Sequence, residues 1–252
     1  MTTPTQDTAI LAALVALAQH ETGTALLPFR SLVSAHQYQR LYALFRTYVP
    51  VGSQVLDWGI GDGHFSYYLM QSGYRTTGFS LTACTRPEWL PQAAYCLVQG
   101  DPHDPVRLPF ATQSFTAVAS VGVLEHVRET GGEELQSLRE IRRILQPGGY
   151  FICYHFPNRY SMIEAVARLL PHKHAHRYRF TRRQIRQLLE QAELELVKTY
   201  RYGFLPRNIW GYAPHWLRNS PRVARAWDAV DRWCGLCFAP LCQNHAIVAR
   251  RP

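Results

Sequence analysis

The chain has 252 residues, of which 47% are hydrophobic and 18% are charged, a balance that excludes a disordered or fibrous protein and indicates a globular one. The formal net charge is +9, and the excess lies late in the chain: residues 1–150 hold 10 Lys and Arg against 12 Asp and Glu, and residues 151–252 hold 17 against 6. Such a basic half suits an anionic substrate, a lipid headgroup surface or RNA, and it is equally consistent with a solvated face.

The first predicted element is a helix around the apolar run AILAALVALA, residues 9–18. The run is too short to cross a bilayer, which takes about 20 residues. It also lacks the basic residues that precede the core of a secretory signal, since Asp7 stands there. The six cysteines are spread through a chain long enough to need no disulfide staples. We therefore expect a protein of the reducing cytoplasm.

A second helical pattern, HQYQRLYALFRTYV, ends at Pro50, and strand-like and helical runs then alternate. This alternation predicts an α/β fold, a doubly wound, mostly parallel, seven-stranded sheet with helices on both faces. We expect the last strand, which follows a long connection, to be an antiparallel edge strand. Strands are predicted at residues 54–57, 75–79, 95–98, 117–121, 150–155, 195–200 and 245–249, and helices at residues 65–72, 87–91, 133–145 and 182–191.

These elements divide the chain into four segments. Residues 1–50 are expected to form an N-terminal helical extension, residues 51–201 the α/β core, and residues 245–252 the last core strand. Residues 202–244 form an insertion rich in Trp, Tyr, Arg and Pro, which the sheet itself does not need.

The stretch VLDWGIGDGHF, residues 55–65, stands where the first strand should turn into a helix. Glycines at such a turn let a ligand approach the backbone and permit φ angles that are closed to other residues. The pattern Asp-x-Gly-x-Gly-x-Gly differs from the dinucleotide and P-loop patterns. Because an acid at the strand end would repel a pyrophosphate and accept a cationic amino-acid group, we predict a ligand with an ammonium and a sulfonium rather than ATP or NAD.

Three ordered motifs resemble the class I S-adenosylmethionine-dependent methyltransferases, in particular their small-molecule type 11 group. VLDWGIGDGHFS resembles the first motif of that family, LPFATQSFTAVASVGVLEHV its LPF…VLEHV segment, and LREIRRILQPGGYF its PGG segment. The resemblance spans about residues 52–191. It implies a Rossmann-like methyltransferase core that binds S-adenosyl-L-methionine as its cofactor.

The resemblance also implies where the cofactor would lie. Val121, at the end of the fourth strand, would border the transferable methyl group. The methionine part would be held by one carboxylate and by the backbone of three glycines, namely Asp57, Gly59, Gly61 and Gly63.

Three positions depart from the family's pattern. Ser80 stands where the family usually has an acid for the two ribose hydroxyls, and a serine makes one neutral hydrogen bond in place of two charge-assisted ones. Cofactor affinity is therefore expected to be lower unless another group contributes. Thr116 replaces another acid, which is a milder structural change. Two residues are candidates for the adenine amino group: Asp101, which directly follows the third strand and is favoured, and Asp104, which has the usual distance to LPF.

Methyl transfer needs an in-line acceptor and, where the acceptor is not already nucleophilic, a base. His126 follows the fourth strand and is the first candidate, although Glu125 and His126 would equally serve to cap and pack the next helix. His155, at the end of the fifth strand, is a second candidate base or a wall residue. A related quinone-precursor O-methyltransferase group builds a metal site with a second acid three residues before this glutamate. Gly122 stands there, so no metal is expected.

Two further groups contain residue types that bind metals. One is a set of alternate histidines in a loop: His172, His174 and His176. Alternate positions on a loop favour a solvated basic loop over a tetrahedral site. The other has zinc-like spacing: Cys234, Cys237, Cys242 and His245. The residues between these are apolar, so burial of small hydrophobic thiols is favoured over zinc.

The insertion contains four Trp, two Tyr and five Arg between residues 202 and 233. In the family that the chain resembles, additions after the fifth strand commonly form a lid over the acceptor. Aromatic surfaces edged by guanidinium groups indicate a flat or lipid-like acceptor with an anionic group. The same residues suit contact with a membrane surface, or a small satellite core.

We therefore predict a methyltransferase of a small or lipid-like metabolite. One alternative is an RNA methyltransferase that uses the basic C-terminal half, and another is a non-catalytic cofactor-binding protein, for which Ser80 is the main support. A nucleic acid partner is disfavoured because the sequence shows no N/D-P-P-[YF] motif, no RNA-binding module and no paired catalytic cysteines. The methylated atom and the oligomeric state stay open.

Overall fold

The computed structural model describes residues 4–20, 26–81, 89–90, 95–170 and 175–252, and it contains a seven-stranded sheet. The strands are β1 (Gln54–Trp58), β2 (Arg75–Ser80), β3 (Cys96–Gln99), β4 (Phe115–Val121), β5 (Leu145–Pro157), β6 (Glu195–Tyr202) and β7 (Asn244–Arg250). The α-helices are α1 (Pro4–His20), α2 (Leu32–Ala35), α3 (Tyr38–Tyr48), α4 (His64–Gln71), α5 (Glu134–Ile144), α6 (Met162–Ala167), α7 (Arg182–Gln191), α8 (His215–Arg218) and α9 (Pro221–Cys237). Short 3-10 helices lie at Leu27–Phe29, Leu124–Thr130, Asn208–Tyr212 and Ala239–Leu241.

The strand order is β3-β2-β1-β4-β5-β7-β6, and β1 to β5 pair in parallel. This order confirms the predicted doubly wound α/β architecture. β7 is antiparallel, as predicted, but it lies between β5 and β6, so its expected position at the edge was wrong. The reason is chemical: β7 is buried along almost its whole length, whereas β6 carries exposed charged residues such as Glu195 and suits an edge.

Helices cover both faces of the sheet because its central strands are apolar on both sides. On one face, Val55 and Ala117 pack with apolar residues of α1, α3 and α4. On the other face, Leu56 and Val118 pack with apolar residues of α5 and α7. Adjacent residues of one strand therefore belong to two different cores, and the sheet between them holds the ends of β1 and β4 in fixed positions.

Several predicted elements have shifted bounds. The second predicted helix, HQYQRLYALFRTYV, corresponds to α3, which begins at Tyr38 and ends at Tyr48, before Pro50; the short α2 precedes it and was not predicted. β5 starts at Leu145, since the Pro-Gly-Gly segment lies within the strand. The helix predicted at residues 87–91 lies largely outside the described residues. Among the described helices, none has the length and apolar character needed to span a bilayer.

The segment between β6 and β7 is joined to the N-terminal helices by buried ion pairs. Arg40 of α3 and Arg207 both contact Asp228 and Asp231 of α9, at N–O distances between 2.7 and 3.3 Å. Ser220 caps the start of α9 and accepts a hydrogen bond from the N–H of Val223. The helix α3 and the segment between β6 and β7 therefore pack together.

Candidate active site

The turn between β1 and α4 contains three glycines in the left-handed backbone region. Their φ angles are +80° at Gly59, +48° at Gly61 and +75° at Gly63, which is the N-cap residue of α4. A Cβ atom at Gly59 would lie 2.5 Å from Val123, whereas one at Gly61 would meet only open space. Packing therefore requires glycine at position 59, and the absence of a side chain at position 61 leaves a cradle at the turn.

The turn borders a cavity of about 180 Å³. Its lining includes four of the predicted residues: Asp57, Gly59, Gly61 and Val121. Asp57 is 1% exposed and accepts a hydrogen bond from Ser66 Oγ at 2.6 Å. Burial raises the pKa of Asp57 to about 6, although the hydrogen bonds from Ser66 act in the opposite direction. A carboxylate with so little hydration would be strongly stabilised by a cation bound in the cavity.

An N-terminal segment, residues 26–29, lies against the cavity. Pro28 is part of the lining, and the N–H of Leu26 donates to Asp62 Oδ2 at 3.0 Å. Phe29 stacks on Tyr38 with 4.8 Å between the ring centroids. Both rings contact the edge or face of His64, at 5.1 and 4.8 Å. The N-terminal extension thus adds an aromatic wall to the glycine turn.

The predicted ribose and adenine residues follow the next two strands. The carbonyl of Ser80, at the end of β2, accepts a hydrogen bond from the N–H of Gly100, so Ser80 and Asp101 leave the sheet side by side. The exposed Asp101 carboxylate accepts a hydrogen bond from the N–H of His103. Asp104 instead lines a larger hollow of about 800 Å³ beside α5. Asp101 therefore remains our predicted adenine contact.

His155 lies at the end of β5 with a left-handed φ of +68°, which is unusual for a side chain of this size. Its Nδ1 atom is 3.1 Å from the Tyr202 hydroxyl and 3.5 Å from the Asn244 amide nitrogen, so both neighbours offer donors to Nδ1. The ring proton then belongs on Nε2, which is buried and has no partner among the described residues. Burial lowers the pKa of His155 to about 3, so the ring is neutral.

The neutral state of His155 changes its predicted role. A base acts best when its pKa is near the working pH, and His155 is far below that. Its Nε2–H is better suited to donate a hydrogen bond to a bound oxygen. The geometry therefore favours a positioning role for His155 over proton removal.

His126 follows β4 in the 3-10 helix Leu124–Thr130, and its side chain is 36% exposed. Its Nδ1 atom lies 2.9 Å from Glu129 Oε2. The neighbouring Glu125 is 2% exposed, and burial raises its pKa to about 8. His176 contacts the His126 ring at 5.7 Å between centroids and pairs with Glu164 at 3.0 Å. His172 and His174 lie outside the described residues.

The four residues with zinc-like spacing differ in their exposure and in their contacts. Cys242 is buried and Cys237 is exposed, and His245 Nε2 is 3.2 Å from the carbonyl of Phe180. Within the described part of the chain, the only group of three or more ligand atoms close enough to share a metal ion is elsewhere, at Glu125, His126 and His176. The favoured expectation of buried thiols therefore still stands for Cys242.

The sequence argument missed several residues of the site. His64 lies within the glycine stretch VLDWGIGDGHF. Its position shortly after a predicted buried strand could have identified it as a residue of the site. Burial lowers the pKa of His64 to about 4, and its Nδ1 atom has no partner among the described residues. Phe29, Tyr38 and Tyr202 carried no such signal, because they come from segments that are distant from the motif in sequence.

Comparison with known proteins agrees with this geometry. Residues 56–153 match the protein family described as "Methyltransferase domain". A curated relative, the probable tRNA methyltransferase 9B of Bos taurus, is 27% identical over 135 residues, which are 54% of this chain and 28% of the relative. The chain thus matches little more than a quarter of the length of that relative.

Solved structures share the fold at low sequence identity. A chain in the complex between the Haloferax volcanii Trm112 methyltransferase activator and a candidate methyltransferase has a TM-score of 0.60 at 20% identity, covering 86% of this chain and 90% of that one. A SAM-dependent methyltransferase from Methanosarcina mazei has a TM-score of 0.55 at 16% identity, covering 82% of this chain and 96% of that one. At these identities the likeness establishes the fold.

Proposed function

We propose, from the premise that this chain contains a class I S-adenosylmethionine-dependent methyltransferase domain, that it methylates a small or lipid-like acceptor with an anionic group. The observation that carries the proposal is a pair of buried imidazoles, His64 and His155, each with one ring nitrogen that has no hydrogen-bond partner among the described residues. Tyr38 contacts both rings, at 4.8 and 5.5 Å between centroids.

The residues around the cavity fit the cofactor that the domain implies. S-adenosylmethionine, when bound, supplies an electrophilic methyl group on a sulfonium. The buried Asp57 carboxylate would bind the ammonium of its amino-acid part, and the open space at Gly61 would admit that part against the backbone. Ser80 and Asp101, which leave the sheet side by side, would contact the ribose and the adenine.

The acceptor would bind next to the aromatic wall. Phe29 and Tyr38, which are buried and stacked on each other, would support this side of the site from behind His64, and the Nε2–H of His155 would offer a donor to an acceptor oxygen. Buried polar atoms without partners cost free energy in a fold, so a ligand that satisfies them is favoured. His126, which follows Val121 by five residues, remains the proposed base for an acceptor that must lose a proton.

A lipid-like acceptor is supported by the outer surface. Large apolar side chains are exposed on α9 and after α6, with Leu169 84% and Leu236 79% exposed. The half of the chain that carries them has the excess of arginine. Apolar side chains among cations suit the interface of an anionic membrane, and such contact would occur from the cytoplasm. Flotation with anionic but not neutral vesicles tests this part of the proposal.

The decisive experiment is transfer of a labelled methyl group from S-adenosylmethionine to a panel of phenolic, quinone-type and lipid acceptors. We expect product from one class, no product with Asp57→Asn, and normal folding of that variant by circular dichroism. No transfer to any of these classes, together with transfer to RNA, would overturn the proposal.

RNA is the second candidate substrate, because the curated relative is described as a probable tRNA methyltransferase. The excess of arginine in the C-terminal half would serve to bind phosphates. Binding of that kind falls steeply with salt, whereas a small buried acceptor depends on salt only weakly. A titration of total tRNA between low and physiological salt therefore distinguishes the two candidates.

A further inference from the structure

Three side chains after β4 and α6 bring metal-binding atoms together. One ligand atom each from Glu125, His126 and His176 lies within 4.8 Å of the other two. We propose that these residues form a binding site for a divalent transition-metal ion, Zn²⁺ or a similar cation. This goes beyond the proposed methyl transfer and departs from the expectation of a metal-free site.

The Glu125 carboxylate gives the strongest indication that a cation binds here. The residue is 2% exposed, and its Oε2 atom has no hydrogen-bond partner among the described residues. Arg128, the nearest arginine along the chain, pairs with Glu134 at 2.7 Å. A buried carboxylate oxygen without a donor is costly, and a cation held by the same carboxylate would remove that cost.

The two histidines have the arrangement that orients metal ligands. His126 Nδ1 lies 2.9 Å from Glu129, and His176 Nδ1 lies 3.0 Å from Glu164. Metal-binding histidines usually donate one ring N–H to a carboxylate, which sets the tautomer and the direction of the other nitrogen. Glu164 is itself held, since it accepts hydrogen bonds from the N–H of His176 and from Gln243.

The donor set selects the class of cation. Two imidazole nitrogens and one carboxylate suit Zn²⁺ and neighbouring first-row ions, whereas Mg²⁺ prefers oxygen ligands alone. Tetrahedral ligands at about 2.1 Å from Zn²⁺ are about 3.4 Å apart, so the three atoms must close by roughly 1 Å or a little more. The side chain of His126, which is 36% exposed, has the freedom to make that movement.

Three protein ligands leave at least one coordination position open. The site lies close to the cavity, because a Cβ atom at the cavity residue Gly122 would be 3.8 Å from Glu125 Oε1. Resting on the proposed function, we infer that the open position holds an oxygen of the acceptor. The metal would orient that oxygen, and with the metal bound His126 would act as a ligand in place of the base role given to it in the proposed function.

Calorimetric titration of the chelator-treated full chain with Zn²⁺ and Co²⁺ tests the site. We expect one bound ion per chain, no competition by excess Mg²⁺, and at least a tenfold weaker affinity in His176→Gln. His215→Gln is the matched control, because it removes an exposed histidine on α8 and should leave binding unchanged. Glu125→Gln should weaken binding as well; if this buried variant does not fold, His176→Gln carries the test.

Either of two outcomes overturns the proposal: unchanged affinity in folded His176→Gln, or a near-ultraviolet thiolate band with Co²⁺, which would assign the ion to cysteines. Binding of S-adenosylhomocysteine is measured on the same samples. In the native chain, absence of metal binding with normal nucleotide binding refutes the metal site alone, whereas absence of nucleotide binding refutes the proposed function.

Discussion

The Asp62 carboxylate of the glycine turn accepts a hydrogen bond from the backbone N–H of Leu26, 36 residues earlier in the chain. Leu26 itself has a left-handed φ of +52° and begins the short 3-10 helix that brings Pro28 to the cavity. One side chain of the glycine turn therefore holds the N-terminal segment against the cavity. Binding of the cofactor and order in that segment should depend on each other.

Asp62→Ala is expected to loosen residues 26–29 and to speed release of S-adenosylhomocysteine by about tenfold or more, since a hydrogen bond to a charged group contributes about 1.5 to 3 kcal/mol. Hydrogen exchange of that segment and stopped-flow dissociation measure the two effects. Gln6→Ala is the control, because Gln6 also joins the N-terminal extension to the core, at Gln71, but away from the cavity. Equal effects of both changes would contradict a specific role for Asp62.

Cofactor affinity should rise with pH around the ionisation of Asp57. Burial raises the pKa of this carboxyl to about 6, and only the ionised form attracts an ammonium. A proton that competes at pKa 6 weakens binding about tenfold at pH 5 relative to pH 7. His64, which faces the same cavity, has its pKa lowered to about 4 and stays neutral over this range.

Asp57→Asn should bind weakly and lose this pH dependence. The stability of the ligand-free protein changes in the opposite direction: because the pKa of Asp57 in the folded protein exceeds the ordinary value of 3.8, stability falls as pH rises from about 4 through 6. Calorimetric titrations and urea unfolding at pH 5, 6 and 7 separate the two effects. A flat affinity profile in the native chain would contradict the assignment of Asp57.

Gly61→Ala is expected to weaken cofactor binding at least tenfold, since the new methyl group would project into the open cradle at the turn. Gly52→Ala is a matched control. Gly52 also has a left-handed φ, +86°, and open space around its Cβ position, but it is not part of the cavity. Both changes should cost about 1 kcal/mol of unfolding free energy. If affinity changed equally in both, backbone strain and not the cradle would be the cause.

Asp231→Ala should destabilise the fold by about 3 kcal/mol or more, because it leaves Arg207 as a buried charge with a reduced set of partners. The comparison is Glu193→Ala, which breaks the Arg142–Glu193 pair, where the glutamate side chain is 72% exposed. That change should cost under about 0.5 kcal/mol. Urea unfolding measures the loss of stability in both variants. Similar losses would mean that the buried ion pairs do not hold α9 in place.

His155→Gly should be more stable than His155→Ala, with a free energy of unfolding about 1 kcal/mol higher in urea titrations. This is the reverse of the usual order of glycine and alanine. The reason is the φ of +68°, which alanine must adopt at a cost and glycine adopts freely. Both variants lack the imidazole, so both should lose methyl transfer to a similar degree. An alanine variant as stable as the glycine variant would show that the backbone relaxes at this position.

Local pattern was sufficient to predict most of the strands and helices and one group of residues that line the cavity. The strands could be predicted because apolar runs and turn residues are adjacent in sequence, and Asp57, Gly59 and Gly61 meet one cavity because they follow a single strand. The helix α7 was predicted at its observed bounds, where Thr181 and Gln184 form a capping box. In each case the physical cause lies within a few residues of its effect.

The sequence by itself thus determined the α/β architecture, the resemblance to a methyltransferase domain and the place of the glycine turn after the first strand. Only the tertiary structure decided the place of β7 inside the sheet, the cover of residues 26–29 over the turn, and the meeting of Glu125 and His126 with His176. These contacts join residues that are tens of positions apart. They depend on which strands are neighbours and on where long connections end. Neither can be predicted from the residues of a single segment.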